Sequence, residues 1–516
     1  MGNVTAVLID TVAIQRYVFD GNKLKENIGA SNNVRDIYRD RLQICIKDVI
    51  GSKVSFNAWL EHPEIVHIIE PGAVFEVGYI GGGNALLFFK EKNQAEAFVQ
   101  LWTKKLLVEI PGIQVAVALD EKFDIECFAE SLERLFNLLS INKNRFFPQT
   151  ILPKHGITAD CPLSGLSAEN FFLLDDEERY ISSVAYAKLR SESKAVEEWL
   201  DEDDRKRYTF TDNINLVGQA AGKDYIAIVH IDGNDMGERF KKCRTLTEIR
   251  LLSGKVNKIM DTTFIRLVHN IVERMQFFLN DKYGFKISES DEKKVLPIRP
   301  ILIAGDDITF VTDGRLGVPL AEQYLQLLVE IGKCEFSACA GVAITKTKYP
   351  FYMGYQLAEA LCANAKQEAR KNPGTSWLDF HLAYGGFSGS LKDIRVEKYS
   401  IRDGRLNYGP YLVTVDGNHE KSIQHLKEGI KKFSNTEQWP RSKVKELRKV
   451  LTLGRESAEQ FINERKSKNC FLPEIPGKGY HVKGFENNVT PYFEMIELSE
   501  FYPIGLMDDK GGTKNQ

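Results

Sequence analysis

The chain has 516 residues, a net charge of -3, and 43% hydrophobic and 27% charged residues. That is length for several domains with buried cores, and the composition is that of an ordinary globular protein. No global positive charge points to nucleic acid, so any such contact must be local. No apolar run reaches the length of a membrane span, and the first twenty residues lack the basic start and apolar core of a signal peptide. Position 6 is Ala where a myristoylation signal needs Ser or Thr. The eight Cys include no C-x-x-C pair, so reduced thiols and a cytoplasmic protein with no membrane contact are expected.

In chain order, "AVLIDTVAIQRYVF" (Ala6–Phe19) reads as an apolar strand ending in Asp10, then a turn into a helix. "VGYIGGGNALLFFK" (Val77–Lys90) reads as a hairpin about a Gly-rich turn. "IQVAVALDEKFDIECFAESLERLFNLLSINKNR" reads as a strand, a loop and an amphipathic helix. The charged segment 150–220, with "SESKAVEEWLDEDDRKRY", reads as a connector carrying a solvated helix. The series then starts again. "IAIVHIDGNDMGERF" (Ile226–Phe240) is an apolar strand ending in Asp232 before a turn and helix. "RPILIAGDDITFVTDG" (Arg299–Gly314) predicts strands Ile301–Ile303 and Ile308–Val311 about a turn Ala304–Asp307. "FSACAGVAITKTKYPFYMGYQLAEALCANAKQEAR" is again strand, loop and amphipathic helix. Beyond it, the basic stretch Lys431–Arg448 with one Trp could touch RNA or a protein subunit, although a solvated helix face is the weightier reading.

Asp10 and Asp232 are 222 positions apart, Gly83 and Asp306 are 223 apart, and so are Lys143 and Lys366. Three landmarks at nearly constant spacing argue for a duplicated β-α-β-β-α-β domain, the ferredoxin-like layout. Where the second copy has Asp306 and Asp307, the first has Gly83 and Asn84. Gly-Asn serves a turn as well as Asp-Asp does, so the two carboxylates need a reason other than the turn. In such a sheet the first strand lies beside the hairpin, which would bring Asp232 to Asp306 and Asp307. Three clustered carboxylates repel one another unless a cation neutralises them. Hard oxygen ligands suit Mg²⁺, and two such ions can serve phosphoryl transfer. The competing reading is hairpin and cap chemistry alone. Lys366 and Arg370 lie one helical turn apart on one face, placed for substrate phosphate or merely for the helix dipole.

These residues carry a resemblance. The second copy resembles the palm domain of nucleotide cyclases and polymerases, most closely that of the large polymerase-like subunit of type III CRISPR effector complexes. "DGNDMG" (Asp232–Gly237) and "AGDD" (Ala304–Asp307) are similar to the family's D-x-D-x-L-G and G-G-D-D. "DTVAIQRYVF" (Asp10–Phe19), "NKLKENIGAS" (Asn22–Ser31) and "GGGN" (Gly81–Asn84) resemble its first palm. "WLDFHLAYGG" (Trp377–Gly386) looks like the closing palm strand, and "YFEMIELSEFYPI" (Tyr492–Ile504) like the C-terminal helix. The resemblance implies an α+β fold: an inactive first palm at 1–150, a connector resembling a degenerate zinc ribbon at 151–220, a catalytic second palm at 221–395 and a helical domain at 396–516. It further implies synthesis of cyclic oligonucleotides, oligoadenylates above all, from ATP in antiviral signalling. Asp232, Asp306 and Asp307 would be catalytic and would hold two Mg²⁺ or Mn²⁺ ions together with Ile231. Asn234, Asp235, Gly305, Lys366 and Arg370, with Gly82, Gly83 and Asn84 of the first palm, would meet nucleotide. Guide or target RNA and other effector subunits would be partners.

The departures carry expectations of their own. Asn234 stands for the second Asp of D-x-D and Ala304 for the first Gly of the hairpin. No His is followed by Asp, so the family's His-Asp nuclease activity is expected to be absent. In "CPLSGLSAENF" (Cys161–Phe171) Ser164 occupies the place of a knuckle's second Cys, and structural zinc needs four ligands, so no zinc is expected. Two alternatives stay open: a standalone cyclase making another cyclic nucleotide, and a catalytically silent scaffold that binds RNA and subunits.

Overall fold

The computed structural model describes residues 3–51, 56–145, 156–174, 177–191, 198–217, 224–279, 284–385, 389–413 and 418–505. The chain divides into two compact units. The first comprises Met1–Glu198, Asp235–Asp261 and Ile301–Ile308; the second comprises Trp199–Asn234, Thr262–Pro300 and Thr309–Gln516.

The first unit is built on four strands, β1 (Asn3–Val12), β2 (Phe75–Gly81), β3 (Asn84–Phe89) and β4 (Gln114–Asp124), in the order β2-β3-β1-β4. β1 is antiparallel to both neighbours, with Val7 opposite Leu87 and Leu119. Val4–Ile9 are all buried, as a strand covered on both faces requires. Helix Lys92–Glu109 buries Ala95, Phe98, Trp102 and Leu106, the i, i+3, i+4 stripe of an amphipathic helix. Phe89 meets Phe98 at 5.5 Å between ring centroids, and Phe88 meets Phe123 at 5.3 Å. Burying each such ring contributes roughly 1.5–3 kcal/mol. β4 completes the β-α-β-β-α-β order, and helix Phe128–Lys143 follows it. Asp10 is not the end of its strand: β1 runs on to Val12, and Asp10 pairs with Asn84 and Ala116.

β5 (Asn170–Leu174) and β6 (Glu177–Ile181) form a separate hairpin in this unit. Cys161 is buried among Leu174, Ile181, Ala185 and Leu189, and Ser164 Oγ lies 2.9 Å from Ser182 Oγ. Of the charged connector, residues 192–197 lie outside the described residues, as does Gly386 at the end of the expected closing strand.

In the second unit, β7 (Tyr208–Thr209), β9 (Glu289–Ser290) and β10 (Lys293–Val295) make a small sheet in the order β7-β10-β9. The larger sheet contains β8 (Tyr225–Gly233), β11 (Ile298–Ala304), β12 (Asp307–Asp313), β13 (Ala338–Lys346), β14 (Trp377–Leu382) and β17 (Tyr411–Leu412), of which Ile301–Ile308 count with the first unit. Its order is β11-β12-β8-β13-β14-β17. The first four positions repeat the first sheet strand for strand, so the duplication seen in the spacing is a duplication of topology. β15 (Ser400–Ile401) and β16 (Gly404–Arg405) pair separately.

The hairpin strands β11 and β12 are longer than the apolar pattern predicts, and their turn shrinks to Gly305–Asp306. Arg299 and Asp313 look like strand stops, yet both are buried, and each has a counter-ion: Arg299 with Asp212 at 2.7 Å and Asp313 with Arg315 at 2.8 Å. A paired charge can continue a buried strand where an unpaired one cannot. Helix Glu202–Arg207 lies in the segment expected to be a solvated helix, with acidic residues in its first turn and basic residues in its last, as the helix dipole favours. In the basic stretch Lys431–Arg448, Trp439 is buried and its Nε1–H donates to the Phe471 carbonyl at 3.1 Å. That Trp is core, not a stacking platform. Among the described residues no helix is long and apolar enough to cross a membrane.

Candidate active site of the second palm

Each copy places an aspartate late in its first strand and a lysine late in its last helix, and the two meet. In the second unit, Lys366 Nζ lies 2.6 Å from Asp232 Oδ2 and donates to the Gly233 carbonyl at 3.0 Å. In the first, Lys143 Nζ lies 2.7 Å from Asp10 Oδ2. Helix Phe351–Lys371 is held against the sheet at Gly341, where a Cβ would come within 1.9 Å of the Ala358 carbonyl oxygen. That close approach is open only to glycine, and it seats the Lys366 turn above the end of β8. Arg370, one turn further, is exposed.

β8 carries Ile231 buried and registered opposite Ala340. His230 is buried, with Nδ1 3.1 Å from Thr309 Oγ1 of β12, and burial pushes its pKa down. Asn234 is buried, and its amide donates to Ser337 Oγ at 3.0 Å and to the Thr375 carbonyl at 3.1 Å. Those bonds engage both amide protons inside the fold. Asp235 is exposed and takes a left-handed conformation, φ 58°, at the start of helix Met236–Lys242.

Asp306 and Asp307 are half-buried at the β11–β12 turn, in the first unit, whereas Asp232 belongs to the second. Within the first unit this turn meets the Gly-rich turn of the first copy. A Cβ on Gly305 would lie 3.3 Å from Gly82 Cα, and Gly305 itself has φ +64°. Gly83 has φ +77°, and a Cβ there would overlap Ile14 Cδ1 at 2.1 Å. The Gly83 carbonyl accepts from Thr11 N–H at 2.9 Å and from the Tyr38 hydroxyl. Asn84 closes the turn opposite Asp10 and Gly81. Gln15 Nε2 donates to Asp307 Oδ2 at 2.8 Å.

No family model and no curated protein matches the chain. Solved structures do. The crystal structure of Csm1 in T. onnurineus matches with a TM-score of 0.54 at 12% identity, over 98% of this chain and 69% of that one. A Csm1–Csm4 cassette in complex with pppApA matches with a TM-score of 0.54 at 12% identity, over 97% of this chain and 69% of that one. A Csm1–Csm4 cassette in complex with cA3 matches with a TM-score of 0.50 at 13% identity, over 98% of this chain and 69% of that one. The fold is that of Csm1. It spans nearly the whole chain, in agreement with the mixed α+β architecture expected from the repeat.

Within this Csm1 fold, sequence reading missed two groups. Gln15 lies inside the motif "DTVAIQRYVF", but nothing local to it signals a bond to a residue 292 positions away. Asp201, Asp204 and His269 also converge, with one ligand atom of each within 4.8 Å of the others. All three have ordinary partners. Asp201 caps helix Glu202–Arg207 by accepting from Asp204 N–H, Asp204 pairs with Arg207 at 2.6 Å, and His269 with Glu273 at 3.0 Å.

Proposed function

We propose that the chain is a palm-type nucleotidyltransferase that joins ATP into cyclic oligoadenylates for antiviral signalling, as the second palm's aspartates suggest. The observation that carries this reading is the difference between two copies of one fold. At the same turn, the first has Gly83–Asn84 and the second Asp306–Asp307. A turn alone does not call for adjacent carboxylates.

The donor set fits Mg²⁺ or Mn²⁺. Asp232, Asp306 and Asp307 offer hard carboxylate oxygens, and Ile231, next to Asp232 in sequence, would add its carbonyl. Asp232 already answers a cation, Lys366. Bound there, two such ions would supply charge neutralisation at the α-phosphate and a lowered pKa for the attacking 3′-hydroxyl. Lys366, able to exchange Asp232 for a phosphate oxygen, would hold the triphosphate, with exposed Arg370 on the same helix. Gly82, Gly83 and Gly305, all at positive φ in their turns, would meet the nucleotide through backbone N–H groups. Asn84 would contact it from the first copy. Asp235 would act at the rim, and Asn234 by holding the β8 end through Ser337 and Thr375. Catalysis in this scheme is positioning and electrostatics.

The solved Csm1–Csm4 cassettes bind pppApA and cA3, which supports adenylate as substrate and a Csm4-like subunit as partner; guide or target RNA would be a further partner. The test is incubation of the pure protein with each NTP and Mg²⁺ or Mn²⁺, with and without candidate RNA and a Csm4-like subunit. Cyclic oligoadenylate from ATP that disappears in Asp306→Ala is expected. Product made equally by that variant, or from no nucleotide under any condition, rejects the reading.

A further inference from the structure

We propose that Gln15 is a positioning residue for Asp307, through which the first copy sets the metal affinity of the second; the proposal rests on the reading of Asp307 as a metal ligand. Gln15 is the second residue of helix Ile14–Phe19, and its Nε2 donates to Asp307 Oδ2 at 2.8 Å within the first unit.

The backbone that presents this amide is tightly determined. Ala13, just before the helix, is held left-handed at φ 54°, ψ 50°. That conformation is unfavourable for a residue with a Cβ and persists only where the surroundings enforce it. They do so here. Thr11 N–H is bonded to the Gly83 carbonyl at 2.9 Å, and Thr11 Oγ1 lies 2.7 Å from the buried Tyr38 hydroxyl. Ile14 sits directly on Gly83, in space that any other residue would fill. The turn that orients Gln15 is therefore the same Gly-rich turn whose Gly82 lies against Gly305, two residues before Asp307.

The chemistry of the donor matters. An amide N–H contacts one carboxylate oxygen and adds no charge, so it fixes the carboxylate's rotation without competing for it as a cation would. Lys366 on Asp232 is the contrasting case. Groups that orient a metal-binding carboxylate commonly change metal affinity about 10–100-fold when removed.

The experiment is Mn²⁺ titration of the full-length protein, followed by the signal of free Mn²⁺, for wild type, Gln15→Leu, Asp307→Asn and the double variant, with a melting curve for each. Gln15→Leu is expected to weaken Mn²⁺ binding about tenfold at an unchanged melting temperature. It should have no further effect in the Asp307→Asn background. Gln15→Lys, which keeps a donor but adds a charge, should bind Mn²⁺ no better than Gln15→Leu. If Asp307→Asn weakens binding and Gln15→Leu does not, the positioning role is wrong and the metal assignment stands. If Asp307→Asn leaves binding intact, both fall. A lowered melting temperature with additive effects in the double variant means that Gln15 only supports the fold, and also overturns the proposal.

Discussion

Asp306→Ala and Asp307→Ala should abolish product while leaving the melting temperature nearly unchanged, because half-buried turn carboxylates build no core. Asn84→Ala, at the matching turn, should reduce the rate far less; equal losses would remove the asymmetry on which the reading depends. Lys366 makes a sharper test, since it is ion-paired to Asp232 and bonded to the Gly233 carbonyl. If it holds triphosphate, Lys366→Ala forfeits a charge-assisted bond of roughly 1.5–3 kcal/mol. That is a ten- to hundredfold fall in kcat/KM, and Lys366→Arg should partly restore it. A lysine that only balances Asp232 and the helix dipole would instead show as a small stability change with unaltered kinetics. The matched Lys143–Asp10 pair extends the test to the first copy. Lys143→Ala should raise KM for ATP without weakening Mn²⁺ binding.

At the scale of elements, one helix side chain ties down β2. Arg250 is fully buried, paired with Glu76 at 2.8 Å, and donates to the carbonyls of Ile65, Val77 and Gly78 at 2.7–2.9 Å. Glu76 accepts the Ile68 N–H with its other oxygen. Arg250→Met leaves that carboxylate buried and unpaired, at a cost of about 3–5 kcal/mol in urea unfolding, much of which Glu76→Leu in the same chain should recover. Around β14 two buried groups titrate against each other. Burial pushes Glu494 up to about 7 from 4.5, although it accepts from Tyr411 O–H and Gly409 N–H. Burial, with Arg395 nearby, pushes His381 down to about 4 from 6.5. The stability linked to Glu494 is full below pH 4.5 and is lost as pH rises through 7; that linked to His381 is full above 6.5 and is lost as pH falls through 4. Each is worth about 3 kcal/mol at 1.36 kcal/mol per unit, so they oppose each other over one window. Glu494→Gln should expose a stability that falls on acidification from pH 6.5 to 4, and His381→Leu one that falls as pH rises from 4.5 to 7. Unfolding at three pH values reads both, and parallel curves for wild type and variants would refute the assignment.

Across the whole molecule, two copies of one topology have diverged in side chains while keeping strand order and the Asp–Lys pair. Metal analysis of the purified protein should find no stoichiometric zinc, because Cys161 is packed among aliphatic side chains with Ser164 at the partner position; one zinc per chain that survives mild chelation would contradict this. The duplication was legible in the sequence because it is written in spacing, and strand and helix positions because they are written in periodicity, which is local. The exchange of Gly83–Asn84 for Asp306–Asp307 was equally plain once the copies were aligned. The strands expected at Ile301–Ile303 and Ile308–Val311 run on past Arg299 and to Asp313, charges that stay in a buried strand because Asp212 and Arg315 pair with them. Asn234 read as a ligand-facing residue, and only the packing of Ser337 and Thr375 against it revealed what its amide bonds. The Gln15–Asp307 bond, the Arg250 anchor and the Lys366–Asp232 pair likewise belong to the tertiary structure alone. Each joins residues more than a hundred positions apart, and neither propensity nor periodicity says which distant side chains the fold will bring within 3 Å.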